Sequence, residues 1–175
     1  MRLSTLACRL AALLAIATAS MAHAADKPTD PQIAHIAYTA GALDVKAAEQ
    51  ALSISKNDAV RAFANSMITD HNAVNDQALA LVKKLGVTPE DNDTSRGLAT
   101  AADAKRAELA KLTGADFDKA YVDNEVAYHK SVNDALASLL IPSAQNGELK
   151  SLLETGLKIF QGHEKHAEDV AATLK

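Results

Sequence analysis

Apolar and polar residues alternate with a helical period through most of the chain. Between Ala59 and Leu85, the positions Val60, Ala64, Met67, His71, Val74, Ala78, Leu81 and Leu85 recur in steps of 4 and 3. That is the buried seam of a helix packed in a bundle, and His71 is its one polar member. A stretch from about Pro31 to Ser55 carries the seam Ile33, Ala37, Ala40, Asp44, Ala47, Ala51 and Ile54. A third, from Asp116 to about Leu140, aligns Asp118, Val122, Glu125, His129, Val132, Leu136 and Leu139. A fourth, from about Glu148 to Leu174, aligns Leu152, Gly156, Ile159, His163, His166 and Val170. A shorter segment from Thr94 or Ser95 to about Leu112 reads either as a separate crossover helix or as the lower part of a broken long one.

The punctuation between these stretches fixes how they connect. Asp30-Pro31 reads as an N-cap followed by proline at the first helical position. Asn57 or Asp58 caps the second helix, and Gly86 with Pro89 beyond it ends that helix. Thr113-Gly114 is a break, Pro142 ends the third long helix, and Ser143 to Gly147 is a turn. Connections this short make antiparallel hairpins. The prediction is an all-α, up-down-up-down four-helix bundle with an extra short or broken helix before the third long one.

The start of the chain reads as a targeting segment. Arg2 and Arg9 accompany the apolar run Leu10 to Ala19, and Ala22-His23-Ala24 has the small-x-small cleavage pattern. Cleavage after Ala24 would leave residues 25–175 as a single exported, periplasmic domain. The only cysteine, Cys8, lies in the removed segment, so the mature chain would have neither disulfide nor thiolate ligand. Loss of Arg2 and Arg9 takes the formal charge from −4 to −6. That balance argues against nucleic acid as a partner. After the leader, no apolar run approaches the ~20 residues of a membrane helix, and nothing reads as a lipid anchor or barrel strand. Outer-membrane association therefore has no support in the residues, while a homo-oligomer stays open.

The polar exceptions on the seams carry the chemistry. Counting from the turn near Asn57, Asp44 lies 13 residues before and His71 lies 14 after. Counting from the turn near Ala144, His129 lies 15 before, while Glu125 before it and His163 after it both lie at 19. At about 1.5 Å per residue these offsets are within a helical turn. The bundle would gather Asp44, His71, Glu125, His129 and His163 at one depth, with His166 one turn further along. Imidazoles and carboxylates converging from rigid walls suit a divalent metal such as Zn²⁺, Fe²⁺ or Mn²⁺. The same groups could form a metal-free His–carboxylate network that fixes helix register. A redox or hydrolytic metalloenzyme is a third reading, which needs a substrate pocket that no residue pattern marks. Asp70 lies about 100° around the helix from His71 and faces a neighbour's edge or solvent. His35 and Glu49 read as surface residues. Tyr38, Tyr121 and Tyr128 read as half-buried packing, near enough to the cluster to hydrogen-bond there. No hydrolase spacing and no phosphate loop appears.

The runs FANSMITDHNAVN, DFDKAYVDNEVAYHKSV and FQGHEKHAEDV resemble a bacterial family of exported domains of unknown function, often labelled putative outer-membrane proteins. The resemblance covers roughly Pro31 to Leu174 and implies a ferritin-like four-helix fold. Asp44-Val45 stands where that family usually carries Glu-Ile. Di-iron ferritins need Glu-x-x-His on two helices. Here Ile68, Val126 and Phe160 stand three residues before His71, His129 and His163, which argues against ferroxidase or iron storage. The expectation is a periplasmic bundle that binds one transition metal in its core, in metal handling or envelope stress. A metal-free structural or interaction module is the alternative.

Overall fold

The computed structural model describes residues 27–174. The predicted leader, Cys8 and the cleavage site after Ala24 lie outside them. The described residues form helices and no strand: α1 (Asp30–Ile54), α2 (Asp58–Leu85), α3 (Asp93–Leu109), α4 (Gly114–Ala135), α5 (Ile141–Ser143) and α6 (Gly147–Thr173). Leu136–Leu140 is a π-helical turn that joins α4 to α5. The long helices pack chiefly as α1 on α2, α4 on α6 and α2 on α6. Contact between α1 and α4 is sparse, and α3 lies along α1 with a lighter contact to α4. The bundle therefore has one open seam, with α3 beside it.

Local chemistry explains the boundaries. Asn57 Oδ1 accepts the free N–H groups of Ala59 at 2.9 Å and Val60 at 3.2 Å, which starts α2. Gly86 at φ 65° ends it, in a left-handed conformation that glycine adopts without strain. Segment α3 is a separate helix because it has its own start: Asn92 Oδ1 accepts the Ser95 N–H at 3.0 Å.

Two boundary expectations need correction. Asp30 does not cap α1, since the N-cap is Thr29. The Thr29 N–H donates to Gln32 Oε1 at 3.0 Å. The Asp30 carboxylate instead accepts the N–H groups of Gln145 and Asn146, both at 2.8 Å, and so ties the start of α1 to the start of α6. Nor does Pro142 stop the chain at Leu140. Proline has no N–H to give to the carbonyl four residues back, and its ring crowds that carbonyl. The backbone widens instead: Ile141 N–H bonds Leu136 O, five residues earlier, and the helix continues to Ser143.

The apolar interior is in two parts. One gathers Ala48, Val60, Phe63, Met67, Tyr121, Val122 and their neighbours, most of them fully buried. The other gathers Ile33, Ile36, Leu136, Leu140, Leu153 and Phe160 at the opposite end of the bundle. A slice of buried polar side chains lies between them.

Candidate metal centre

Each long helix contributes to the polar slice through its buried face. Asp44 comes from α1, His71 from α2, Glu125 and His129 from α4 and His163 from α6, all 5 % exposed or less. His71 Nε2 lies 3.4 Å from His129 Nε2 and 2.7 Å from Asp44 Oδ2. His129 Nε2 is 3.9 Å from the same oxygen, and Glu125 Oε2 is 3.7 Å from His129 Nδ1. One ring nitrogen from each of His71, His129 and His163 lies within 4.8 Å of the others. Asp44, Glu125 and His129 form a second such group that shares His129. The heptad-like seams thus converge at one level, as the residue counts from the turns predict.

His166 does not join them. It is exposed, and its ring packs edge-on against Phe63 with centroids 5.1 Å apart. The buried face of α6 runs through Leu149, Leu153, Gly156, Phe160, His163, Ala167 and Val170. Leu152, Ile159 and His166 sit one residue off that line. The same slip runs from the end of α4 into the π turn, where Asn133 and Leu140 are buried and Leu139 is 41 % exposed.

Hydrogen bonds around the slice set its protonation. The carbonyl of Glu125 accepts from His129 Nδ1 at 3.0 Å, which leaves the lone pair on Nε2, facing His71. Asp70 Oδ2 accepts from His163 Nε2 at 3.0 Å, which leaves the lone pair on Nδ1. A carboxylate or carbonyl behind a histidine in this way fixes the tautomer for a ligand. Asp70 is the site residue whose role the sequence reading missed; its only signal was adjacency to His71. The His71 ring is itself held flat on Phe160, with centroids 4.5 Å apart and planes 14° apart. Tyr128 OH donates to Ala40 O at 2.8 Å, while the buried Tyr121 OH has no partner among the described residues.

Burial alone would raise the Asp44 pKa, but His71 and then His129 outweigh it and hold the carboxyl at about 2. Glu125 goes the other way: burial, then the Asp44 charge beside it, pushes it well above the ordinary carboxylate range. One carboxylate is therefore ionised and its neighbour protonated, as expected for two acids sharing a dry site. Burial lowers His129 and His163, despite the attraction of Asp44 on the first and of Asp70 on the second. Neutral imidazoles are the form that ligates metal.

The slice is also short of donors. Asp44 Oδ2 has His71 Nε2 at 2.7 Å, but Asp44 Oδ1, both oxygens of Glu125 and the Nδ1 atoms of His71 and His163 are buried without a hydrogen-bond partner among the described residues. Buried acceptors are rarely left in that state unless a water or a cation completes them. One proton on Glu125 can serve only one of these atoms.

The model of a domain of unknown function, DUF4142, matches residues 15–170. The chain belongs to the DUF4142 family. No curated protein and no solved structure matches it significantly. Family membership supplies no reaction, so what this DUF4142 protein does has to be argued from the slice itself.

Proposed function

We propose that this protein is an exported, periplasmic bundle of ferritin-like, up-down-up-down form that holds one divalent transition metal in its core. The ligands are ring nitrogens of His71, His129 and His163 and the Asp44 carboxylate. Glu125 is a second carboxylate within reach of Asp44 and His129, and Asp70 orients His163. The carrying observation is the convergence of buried imidazole and carboxylate atoms from four helices, with His71 Nε2, His129 Nε2 and Asp44 Oδ2 between 2.7 and 3.9 Å apart and several acceptors beside them without donors among the described residues. Two ligands on a tetrahedral ion with bonds of about 2.05 Å stand about 3.4 Å apart, the spacing of His71 Nε2 and His129 Nε2. Three imidazoles with one carboxylate suit Zn²⁺, Fe²⁺ or Mn²⁺. Asp44 and Glu125 also line a cavity of about 280 Å³ under α3, which gives a cation a way in. Lys105 and Arg106 on its wall are neutralised by Glu108 and Asp103. Metal handling or envelope stress is the role that suits such a centre.

Metal content of purified protein tests this, with Zn²⁺, Fe²⁺ and Mn²⁺ titrations to follow. One equivalent per chain is expected, and His71→Ala and His129→Ala should each weaken binding by at least about a hundredfold with helicity retained. A parent protein that takes up none of the three ions overturns the proposal. In that case a metal-free network remains, for which His71→Leu should stabilise the fold, as apolar replacements of buried polar groups often do.

A further inference from the structure

A second cavity, of about 260 Å³, is bordered by His71 and His129 but by neither Asp44 nor Glu125. Its walls are mainly apolar, with Ile36, Leu136, Leu140, Leu153 and Phe160 among them. Two of the exposed large apolar side chains, Tyr38 and Leu139, also line it and mark where it meets solvent. Among the described residues, no Asp, Glu, Lys or Arg borders it.

The buried end of this chamber carries one polar group free to meet a guest. His71 Nε2 is turned to Asp44 Oδ2, at 2.7 Å. His129 Nε2 faces His71, and its Nδ1 donates to the Glu125 carbonyl. Tyr128 OH already donates to Ala40 O at 2.8 Å. Asn75 remains, one turn beyond His71 and 8 % exposed. Its amide has room only because Gly41 faces it: a Cβ there would lie 2.6 Å from Asn75 Oδ1. An apolar pocket with a precisely seated polar group is the form of a small-molecule site.

The lining narrows the occupant. A charged head of either sign would be buried with no fixed charge beside it, which is costly. The guest is therefore uncharged. An amide offers both N–H donors and a carbonyl acceptor, and a hydroxyl answers it in both senses, whereas a head that only accepts leaves the amide oxygen without a donor. A dry cavity of about 150 Å³ holds benzene, so this one suits about ten non-hydrogen atoms.

We propose that the chamber binds an uncharged amphiphile of the medium-chain alcohol class, its single hydroxyl on the Asn75 amide and its alkyl chain along Leu136, Leu140 and Leu153. Only groups of the chain itself are involved, so this proposal and the metal reading can fail separately. Titration calorimetry of the purified protein with 1-octanol tests it. One 1-octanol should bind per chain, and each removal of two methylenes, to 1-hexanol and then 1-butanol, should weaken binding about tenfold. Octanoate and octylamine should bind at least about tenfold more weakly than 1-octanol. Asn75→Leu should weaken 1-octanol about fivefold or more and bind toluene, which has no polar head, no more weakly than the parent does. Ala37→Phe fills the chamber and should abolish binding of both; Ala135→Phe is the replacement if that variant does not fold. Absence of 1-octanol binding overturns the proposal, as does octanoate or octylamine binding as tightly as 1-octanol. Unchanged 1-octanol affinity in Asn75→Leu, or in the folded chamber-filling variant, also overturns it.

Discussion

The two ends of the bundle bury similar residue types and differ in how tightly they pack. Below the polar slice, Phe63, Met67, Phe117, Tyr121 and Val122 are fully buried in a continuous core. Above it, Ile36, Leu136, Leu140, Leu153 and Phe160 wall a chamber of about 260 Å³. The difference follows from the connections. At the packed end, α1 and α2 turn directly into one another through three residues, Ser55 to Asn57. At the other, the chain widens into a π turn, and α1 and α4 stand apart with α3 beside the gap. Stability is concentrated in one half, and space for a ligand in the other.

Truncations should expose this contrast most strongly. Met67→Ala is expected to cost about 4 kcal/mol and Leu153→Ala about 2 kcal/mol, because Leu153 already borders a void and loses fewer neighbours. Urea unfolding with unchanged slope measures both, and equal losses would erase the asymmetry. Enlargement should reverse the pattern. Ala64→Leu forces two methylenes and more into a full core, at about 1–3 kcal/mol, whereas Ala135→Leu grows into the chamber and should leave the midpoint unchanged or raised.

The slice between the ends should give a smaller, pH-dependent effect. Glu125 titrates in the folded state well above its ordinary value of 4.5, so above that pH the unfolded chain has lost a proton that the native chain keeps. Stability from this group therefore falls as pH rises from about 4.5. Asp44, Asn124, His129 and Tyr121 face or adjoin it. Glu125→Gln removes the dependence, so its advantage over the parent should widen with rising pH in metal-free buffer. Parallel curves would mean that the acid is not held protonated. Smallest of all, Lys84→Ala, which breaks an exposed pair with Glu148 at the chambered end, should change stability by less than about 0.5 kcal/mol.

Residue counts were enough to bring Asp44, His71, Glu125, His129 and His163 together, because helical rise is constant and the turns at Asn57 and Ala144 are short. They could not choose between two seams on α6. Leu152-Ile159-His166 and Leu153-Phe160-Ala167 satisfy the same 3-and-4 spacing around Gly156, His163 and Val170. Only the position of the neighbouring helices decides, which is why His166 was misplaced. Asp70 escaped for the related reason that its role depends on α6 standing beside α2 at that height. Pro142 was readable as a disturbance to the helix but not as a π turn. The chamber was invisible because it arises where helices fail to meet, and no residue pattern encodes that directly.

The π turn has one more consequence. Its five-residue hydrogen bond and the proline after it weaken the backbone ladder relative to the regular turns of α4 before it, and Leu139, on the chamber's rim, belongs to it. Transient fraying is therefore favoured at the rim, about three helical turns along the chain from His129. Local opening there would admit solvent to the chamber without unwinding the histidine-bearing turns of α2 and α6.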